Sequence, residues 1–507
     1  MPLNPVERRL VELCTHWETF QQDLSKRLLI WKAPDNALRI LQCFFEAQKH
    51  ETEYQTGDLF IVFDTPFDQS IQYSRDLKIT LAGRYDASRE ELTHQSITPD
   101  WEYDPHSVQD SASGFAQSLR SFTDKHQEHI GHLVAVLMPS SITREEAFIG
   151  WVQRLLATGL PERIRLVLIE SLQHPRFTPL MSSGHAQIAV ETLNFDALTT
   201  AQETFAQEGA VGPAAVFRNF LMGMVTLMEK GSADQVKAKA ADTVAFAKQQ
   251  QWADQEVAVT MMVAGALLKE KRFEEAVKEY RKARQAALQT VEAKHPAGKD
   301  LVMQTWFGEA GVHVASGNLD AATACYDQAS LVAQGIPNLV LAIEAYRMGT
   351  FCQERLRQKD PALERGDAAL ALGKQLEPKD RANTTLPILG LDILRVIDPD
   401  RVKQMEEIKH RMDAEQTTIL AKAEQHIAAL SDTAAAQQFQ AVEQRLEEEG
   451  EQVEQKAIQE LEAVVKKGSD QFVKYVTDIR TLLGTEWPLT GMLAIPCLPK
   501  PEQGVAA

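Results

Sequence analysis

Three histidines spaced three residues apart are the first group in this sequence that could do chemistry. His126, His129 and His132 would lie roughly on one face of a helix, and imidazole is a common metal ligand. However, His132 opens an apolar run typical of a strand, and Glu128 is the one neighbouring carboxylate that could join the ligand set. We therefore interpret the three histidines as a polar helix end and predict no metal site.

Two aspartates follow the apolar run 59–63 and could form an acid/base pair. Carboxylates at strand ends are often functional in open α/β sheets, but they also commonly cap turns and helices. No nucleophile or zinc motif accompanies Asp64 and Asp68, so we interpret them as caps. We predict no catalytic residue and no enzyme. The polar segment 84–113 is predicted to be a surface loop. A hydrolase with an unrecognised site in that segment stays an open alternative.

The loop 64–70 is also where a phosphate-binding loop would follow that strand. It contains no glycine and no lysine, and its two carboxylates would repel a phosphate. The second apolar run ends in Met138 and Pro139 without the acid that would hold Mg²⁺. The sequence therefore predicts no bound cofactor.

Charge and composition narrow the class of partner. The 507 residues carry 53 basic and 71 acidic side chains, a net charge of −18, which disfavours nucleic acid as a partner. Residues 1–14 lack the apolar core of a signal peptide, and no apolar run is long enough to cross a membrane. We expect a cytoplasmic protein without membrane insertion. Its five cysteines are scattered and predict neither disulfides nor a zinc site: Cys14, Cys43, Cys325, Cys352 and Cys497.

Hydrophobic periodicity predicts a mainly α chain with an N-terminal α/β domain. A stripe over 6–28 indicates one helix that ends near residue 34, and a second helix covers 36–49, so 1–50 is predicted as N-terminal helices. Buried strands that alternate with helices imply a small, mainly parallel sheet within 51–200. The strands are predicted at 59–63, 132–138 and 164–169, with a weaker one at 187–193.

Residues 201–398 are predicted to form helical hairpins with a shared pattern. Ala276, Tyr280 and Ala283 present a small–aromatic–small spacing that recurs at Ala322, Tyr326 and Ala329, and Trp306 precedes the second set. These segments resemble tetratricopeptide repeats, although 46 positions separate the equivalent alanines against about 34 in the standard repeat. The resemblance implies an α-solenoid in which small residues let helices approach, the aromatic fills the gap to the next repeat, and a concave surface holds a peptide or protein. The α/β segment resembles, in topology and in the cadence of 159–168, a degenerate P-loop-type domain of signalling ATPases that carry such repeats.

The remaining chain contains two further segments that could contact a partner protein. Residues 399–484 predict a long helical hairpin or short coiled coil, and 485–507 form a proline-rich apolar tail. An apolar tail that cannot be a helix either tucks into a groove or meets a partner. The residues predicted to bind protein are Trp487, Leu489, Met492, Leu493, Ile495 and Leu498.

Together these features predict a non-enzymatic adaptor or chaperone that holds a client protein through its repeats and tail. The architecture resembles bacterial type VI secretion co-adaptors, which implies a secreted effector, or its adaptor, as the client. The alternative is a nucleotide-sensing signalling protein of the repeat-bearing ATPase type with a degenerate or inactive site.

Overall fold

The structure is a computed structural model that describes residues 3–50, 54–195, 197–207, 212–430 and 436–489. It divides into two compact units, the first of residues 1–210 and 414–453 and the second of 211–413 and 454–507. The fold is mainly α with one small parallel sheet, as predicted.

The first unit is built on a parallel five-stranded sheet. Its order is β2-β3-β4-β1-β5, so β1 lies inside the sheet and β2 at an edge. Leu28 of β1 pairs with Leu166 on one side and with Ile188 on the other. The strands are β1 (Leu28–Ala33), β2 (Leu59–Phe63), β3 (Leu133–Leu137), β4 (Ile164–Ser171) and β5 (Ile188–Thr192).

The prediction of a single helix up to residue 34 was wrong. Helix α1 (Pro5–Gln22) begins with a reciprocal cap between Asn4 and Glu7 and ends six residues before β1. The four-residue step from Leu24 to Leu28 imitated a continued helical stripe, but Leu24 is 58% exposed. Because β1 is buried on both faces, its side chains are nearly all apolar and show no alternation that would reveal a strand. Residues 1–50 therefore contribute a strand to the sheet.

Helices cover both faces of the sheet. One apolar cluster joins α1 and the helix after β1 to one face around Trp17, Trp31 and Phe44, and another joins the helices after β2 and β3 to the opposite face around Phe115 and Trp151. The helices of this unit are α2 (Leu38–Ala47), α3 (Ser70–His94), α4 (Ala112–His126), α5 (Glu145–Ala157), α6 (Thr178–Met181) and α7 (Ala197–Gln207). Helix α3 covers the first eleven residues of the predicted loop 84–113, because Tyr85 continues its buried side.

The first unit also includes parts of two long helices, α18 (Pro399–Ala429) and α19 (Ala436–Lys466). The Glu424 carboxylate accepts hydrogen bonds from the Ser70 backbone N–H at 2.6 Å and the Ser70 hydroxyl at 2.7 Å. Gln69, which precedes α3, supplies no side-chain cap, so Glu424 takes that role. Ile71 packs beside this contact with Ile427 and Phe439.

The second unit contains the predicted helical repeats. The first eight described helices of this unit each pack against the next in chain order, which is the stacking of an α-solenoid. Its helices are α8 (Pro213–Lys230), α9 (Ala233–Gln249), α10 (Ala253–Lys269), α11 (Phe273–Glu292), α12 (Gly298–Ala315), α13 (Leu319–Gln334), α14 (Leu339–Arg355), α15 (Lys359–Gly373), α16 (Pro378–Arg381), α17 (Leu386–Ile397) and α20 (Asp470–Leu483).

The small–aromatic–small positions pack as the tetratricopeptide resemblance implies. Ala276 and Ala322 are fully buried. The Tyr280 ring of α11 lies directly over Gly308 of α12, where a Cβ atom would overlap the ring. The aromatic side chain thus fills the space between one hairpin and the next, and glycine makes that approach sterically feasible.

Candidate functional site

The carboxyl edge of the sheet is where a parallel α/β domain binds ligands. The phosphate-binding loop was sought after β2, but β2 is an edge strand; the interior strands are β3, β4 and β1, and of these β1 is followed most closely by a helix. The loop that matters is therefore 33–38, which leads from β1 through a short turn at Asp35–Ala37 into α2. It reads Ala-Pro-Asp-Asn-Ala-Leu, again without glycine or lysine.

Asp35 places a negative charge in this loop, and both its carboxylate and its backbone N–H are already hydrogen-bonded. Its carboxylate accepts a hydrogen bond from the Ser171 hydroxyl at 2.5 Å, and its backbone N–H donates to Gln173 Oε1 at 3.0 Å. One N–H that could bind phosphate is thus already paired, and a negative charge stands beside the helix start, which itself favours anions. This arrangement is poor for binding a nucleotide phosphate.

Glu170 is a buried acid at the same edge and was not among the predicted site residues. It is 1% exposed at the end of β4, and its carboxylate accepts the backbone N–H groups of Arg176 at 2.9 Å and Phe177 at 2.5 Å. The sequence does carry a signal for this residue, since Glu170 directly follows the apolar run 166–169. Both of its oxygens hold the following loop, so the contacts describe a structural role.

Two of the three spaced histidines have unrelated surroundings. His126 packs against Tyr85 and Phe122 at ring-centroid distances of 5.2 and 4.7 Å. Burial, with a smaller effect from His129, lowers the pKa of His126. His129 lies in the turn after α4 and is exposed. A shared ligand set is therefore not formed by these side chains.

His132 instead joins a polar cluster at the amino edge of the sheet. Its Nδ1 lies 3.0 Å from Oδ1 of Asp58, which also accepts the His132 backbone N–H at 2.7 Å. Asp58 Oδ2 accepts hydrogen bonds from the indole of Trp17 at 2.6 Å and from the amide of Gln21. The cluster ties α1 to the starts of β2 and β3.

Asp64 and Asp68 do not converge on a site. The Asp64 side chain is 76% exposed and lies 3.7 Å from Arg84, while its carbonyl oxygen accepts the Ser140 N–H at 3.0 Å. Asp68 is exposed, and its carbonyl oxygen accepts a 3.4 Å hydrogen bond from Thr143. Their backbone groups support the turns between sheet and helices.

A groove of about 580 Å³ runs along the free edge of β2. Leu59 and Phe63 bond to β3, and alternate residues of a parallel strand bond to one neighbour, so the N–H and C=O groups of Phe60 and Val62 point away from β3. No strand among the described residues pairs with that edge. Helices α2 and α3 form the walls, with apolar linings that include Phe45, Ile61, Leu81, Phe122 and Met138.

Charges on the rim of this groove are already paired. Lys49 lies 2.7 Å from Glu46, and Arg84 lies 3.7 Å from Asp64. The groove therefore offers hydrogen-bonding backbone and apolar surface with little net charge. The groove could not be predicted from the sequence, because the order of the strands, and with it the edge position of β2, does not follow from hydrophobic runs.

Of the predicted protein-binding residues, two lie within the second unit and are buried there. Trp487 is 2% exposed and Leu489 is 5% exposed. The Trp487 indole donates to the Pro387 carbonyl oxygen at 3.3 Å and packs on Gly390, where a Cβ would overlap it. Their contact with a partner stays a prediction, and in the described chain they pack the tail onto α17. The other four lie outside the described residues: Met492, Leu493, Ile495 and Leu498.

The two solved structures described below are only distantly similar to this chain. No family model matches the chain, and no curated protein matches it. Two similar solved structures are a Rap protein complexed with competence and sporulation factor, and a signal-transduction ATPase with numerous domains that has a tetratricopeptide repeat sensor, from Pyrococcus horikoshii. The first is 10% identical, with a TM-score of 0.29 over 87% of this chain and 99% of that chain. The second is 9% identical, with a TM-score of 0.23 over 93% and 90%. The assignment of repeats therefore rests on the packing described above.

No described helix is both long enough and apolar enough to span a bilayer.

Proposed function

We propose that this chain is a non-enzymatic adaptor or chaperone that binds a client protein. The observation that carries the proposal is the free edge of β2 beside an apolar groove. An extended polypeptide can add to such an edge through main-chain hydrogen bonds while its alternate side chains enter the groove. The near-neutral rim favours a client segment of apolar rather than strongly charged residues.

The helical repeats support the same function. An array in which each helix packs on the next presents a long continuous surface, and such surfaces are typically used to hold peptides or proteins. We propose that the repeats, and the apolar tail beyond Leu489, hold the remainder of the client. A secreted effector, as in type VI secretion, is the client class that we propose to test.

The competing proposal is a nucleotide-sensing protein. It is favoured by the position of β1, an interior strand that leads through a short loop into α2. Asp35 and its paired N–H oppose it. Calorimetric titration of the full chain with ATP and Mg²⁺ separates the two: the adaptor proposal expects no binding, and saturable binding at micromolar nucleotide would favour the sensor.

Proline substitutions at the two edges of the sheet test the strand-addition site. Val62→Pro removes an outward N–H from β2, and Val190→Pro makes the matched change on β5, the opposite edge strand. We expect a client captured from the native cell by the parent chain to be retained by Val190→Pro and lost from Val62→Pro. The client must then bind the purified parent directly.

Two results would contradict the proposal. Equal retention by both variants would place the client elsewhere than on β2, and failure of the purified client to bind the parent would remove the adaptor function itself. Circular dichroism of both variants controls for the fold of the sheet.

A further inference from the structure

Three metal-ligating side chains of different types meet inside the repeats. Glu309 and His313 lie one turn apart on α12, and Cys325 lies on the following helix α13. Their ligand atoms all lie within 4.8 Å of one another. His313 Nε2 is 3.6 Å from Glu309 Oε1, because residues four apart share a helix face.

The histidine is buried, and the Glu309 carboxylate, 3.6 Å from its Nε2 atom, lies just beyond hydrogen-bonding distance. His313 is 9% exposed, and no described residue forms a hydrogen bond with its buried Nε2 atom. Buried polar atoms in proteins are nearly always paired. A cation bound between this unpaired ring nitrogen, the carboxylate and the thiol would satisfy all three groups.

We propose that Glu309, His313 and Cys325 bind one transition-metal cation of the zinc class, with a fourth coordination position left open. A nitrogen, a sulfur and an oxygen ligand suit Zn²⁺ or Co²⁺, whereas Mg²⁺ and Ca²⁺ prefer oxygen alone. Tetrahedral zinc with bonds of about 2.0–2.3 Å places its ligand atoms roughly 3.3–3.8 Å apart. The nitrogen and oxygen already have this separation, and the Cys325 sulfur lies within 4.8 Å of both.

Two arginines from α11 now hold the carboxylate, and they define what must move. Arg284 binds Oε2 and stacks on Trp306 with its guanidinium 3.4 Å from the ring centroid, so it can stay and orient the ligand. Arg281 donates to Oε1 at 2.8 Å, but its side chain is 61% exposed and can turn into solvent. The metal therefore competes with Arg281 for a single oxygen.

The thiol adds a second cost to binding. Burial, together with the charge of Glu309, raises the pKa of Cys325 to about 11. The free thiol is thus protonated at neutral pH, and the cation must displace that proton to gain a thiolate ligand.

Titration of the chelator-treated full chain with Co²⁺ tests the site. We expect one Co²⁺ per chain, with a thiolate-to-cobalt absorption band that Zn²⁺ abolishes. Cys325→Ser should lose the band and His313→Gln should weaken binding about tenfold or more. Cys352→Ser, which removes a buried thiol from the same apolar cluster, should keep the band.

Arg281→Gln is expected to strengthen metal binding, a result that misfolding of the variant would not produce. It alters an exposed side chain and removes the competing cation, so it should bind Co²⁺ more tightly than the parent. The proposal is wrong if the parent shows no thiolate band, if Cys325→Ser retains the band, or if Arg281→Gln binds no more tightly than the parent.

Discussion

Replacing Gly308 by alanine should weaken the repeats, whereas the same change at Gly311, three residues later on α12, should strengthen them. A Cβ at Gly308 would overlap the Tyr280 ring, while nothing lies within 4 Å of a Cβ at Gly311. Both changes stabilise the helix by about 1 kcal/mol, because alanine is more favourable than glycine in a helix interior. Overpacking adds a cost of about 1–3 kcal/mol at Gly308 alone.

The comparison between the two variants isolates the ring contact. Gly308→Ala should change the free energy of unfolding by about 0 to 2 kcal/mol in the destabilising direction, and Gly311→Ala should stabilise by up to about 1 kcal/mol. The difference between them is then about 1–3 kcal/mol. For a unit of some 200 residues each kcal/mol shifts Tm by roughly 2–4 °C, which differential scanning calorimetry of the full chain resolves.

A second substitution identifies the atoms responsible. In a Tyr280→Ala background the ring is absent, so Gly308→Ala should stabilise the chain as much as Gly311→Ala does. Equal effects of the two glycine variants in the parent chain would refute the packing of Tyr280 on Gly308. A Gly308→Ala cost that persists without the ring would assign the strain to another neighbour.

Three further predictions follow from buried positions. Ala276→Leu and Ala322→Leu, at fully buried sites, should each cost about 1–3 kcal/mol by overpacking, and an unchanged Tm in both would contradict the repeat assignment. Burial, partly offset by Arg395 and Arg347, raises the pKa of Asp392 from 3.8 to about 6. The folded chain thus holds this proton more tightly than the unfolded chain, so the stability that the proton contributes is full below pH 3.8 and is lost as pH rises through 6. Asp392→Asn should therefore show a smaller fall in Tm between pH 4 and pH 7 than the parent, and parallel curves would refute this. Glu424→Gln should cost about 1–3 kcal/mol through its contacts with Ser70, whereas Glu449→Gln, altering an exposed i,i+4 pair with Arg445, should change stability by less than about 0.5 kcal/mol; equal losses would argue against the cap.

Local packing could be predicted from this sequence, and long-range pairing could not. The spacing of Ala276, Tyr280 and Ala283 fixes which face of α11 meets its neighbour, because that face follows from helix periodicity alone. The place of β1 depends on partners more than 130 residues away, at Leu166 and Ile188. A continuous apolar run indicates that a strand is buried but does not indicate which strand lies beside it. The interior position of β1 and the free edge of β2 are therefore known from the structure alone.

The metal-ligating triad shows where sequence reasoning could reach further. Searches for ligands in short sequence clusters, such as paired cysteines, miss Glu309 and Cys325 because sixteen positions separate them. Yet Gly317, in the turn between α12 and α13, lies eight residues from each. In an antiparallel helix pair, residues equidistant from the turn come level with one another, and His313, one turn from Glu309, joins them. Equal spacing of ligand-type residues on either side of the glycine in a helical hairpin therefore predicts this site from the sequence.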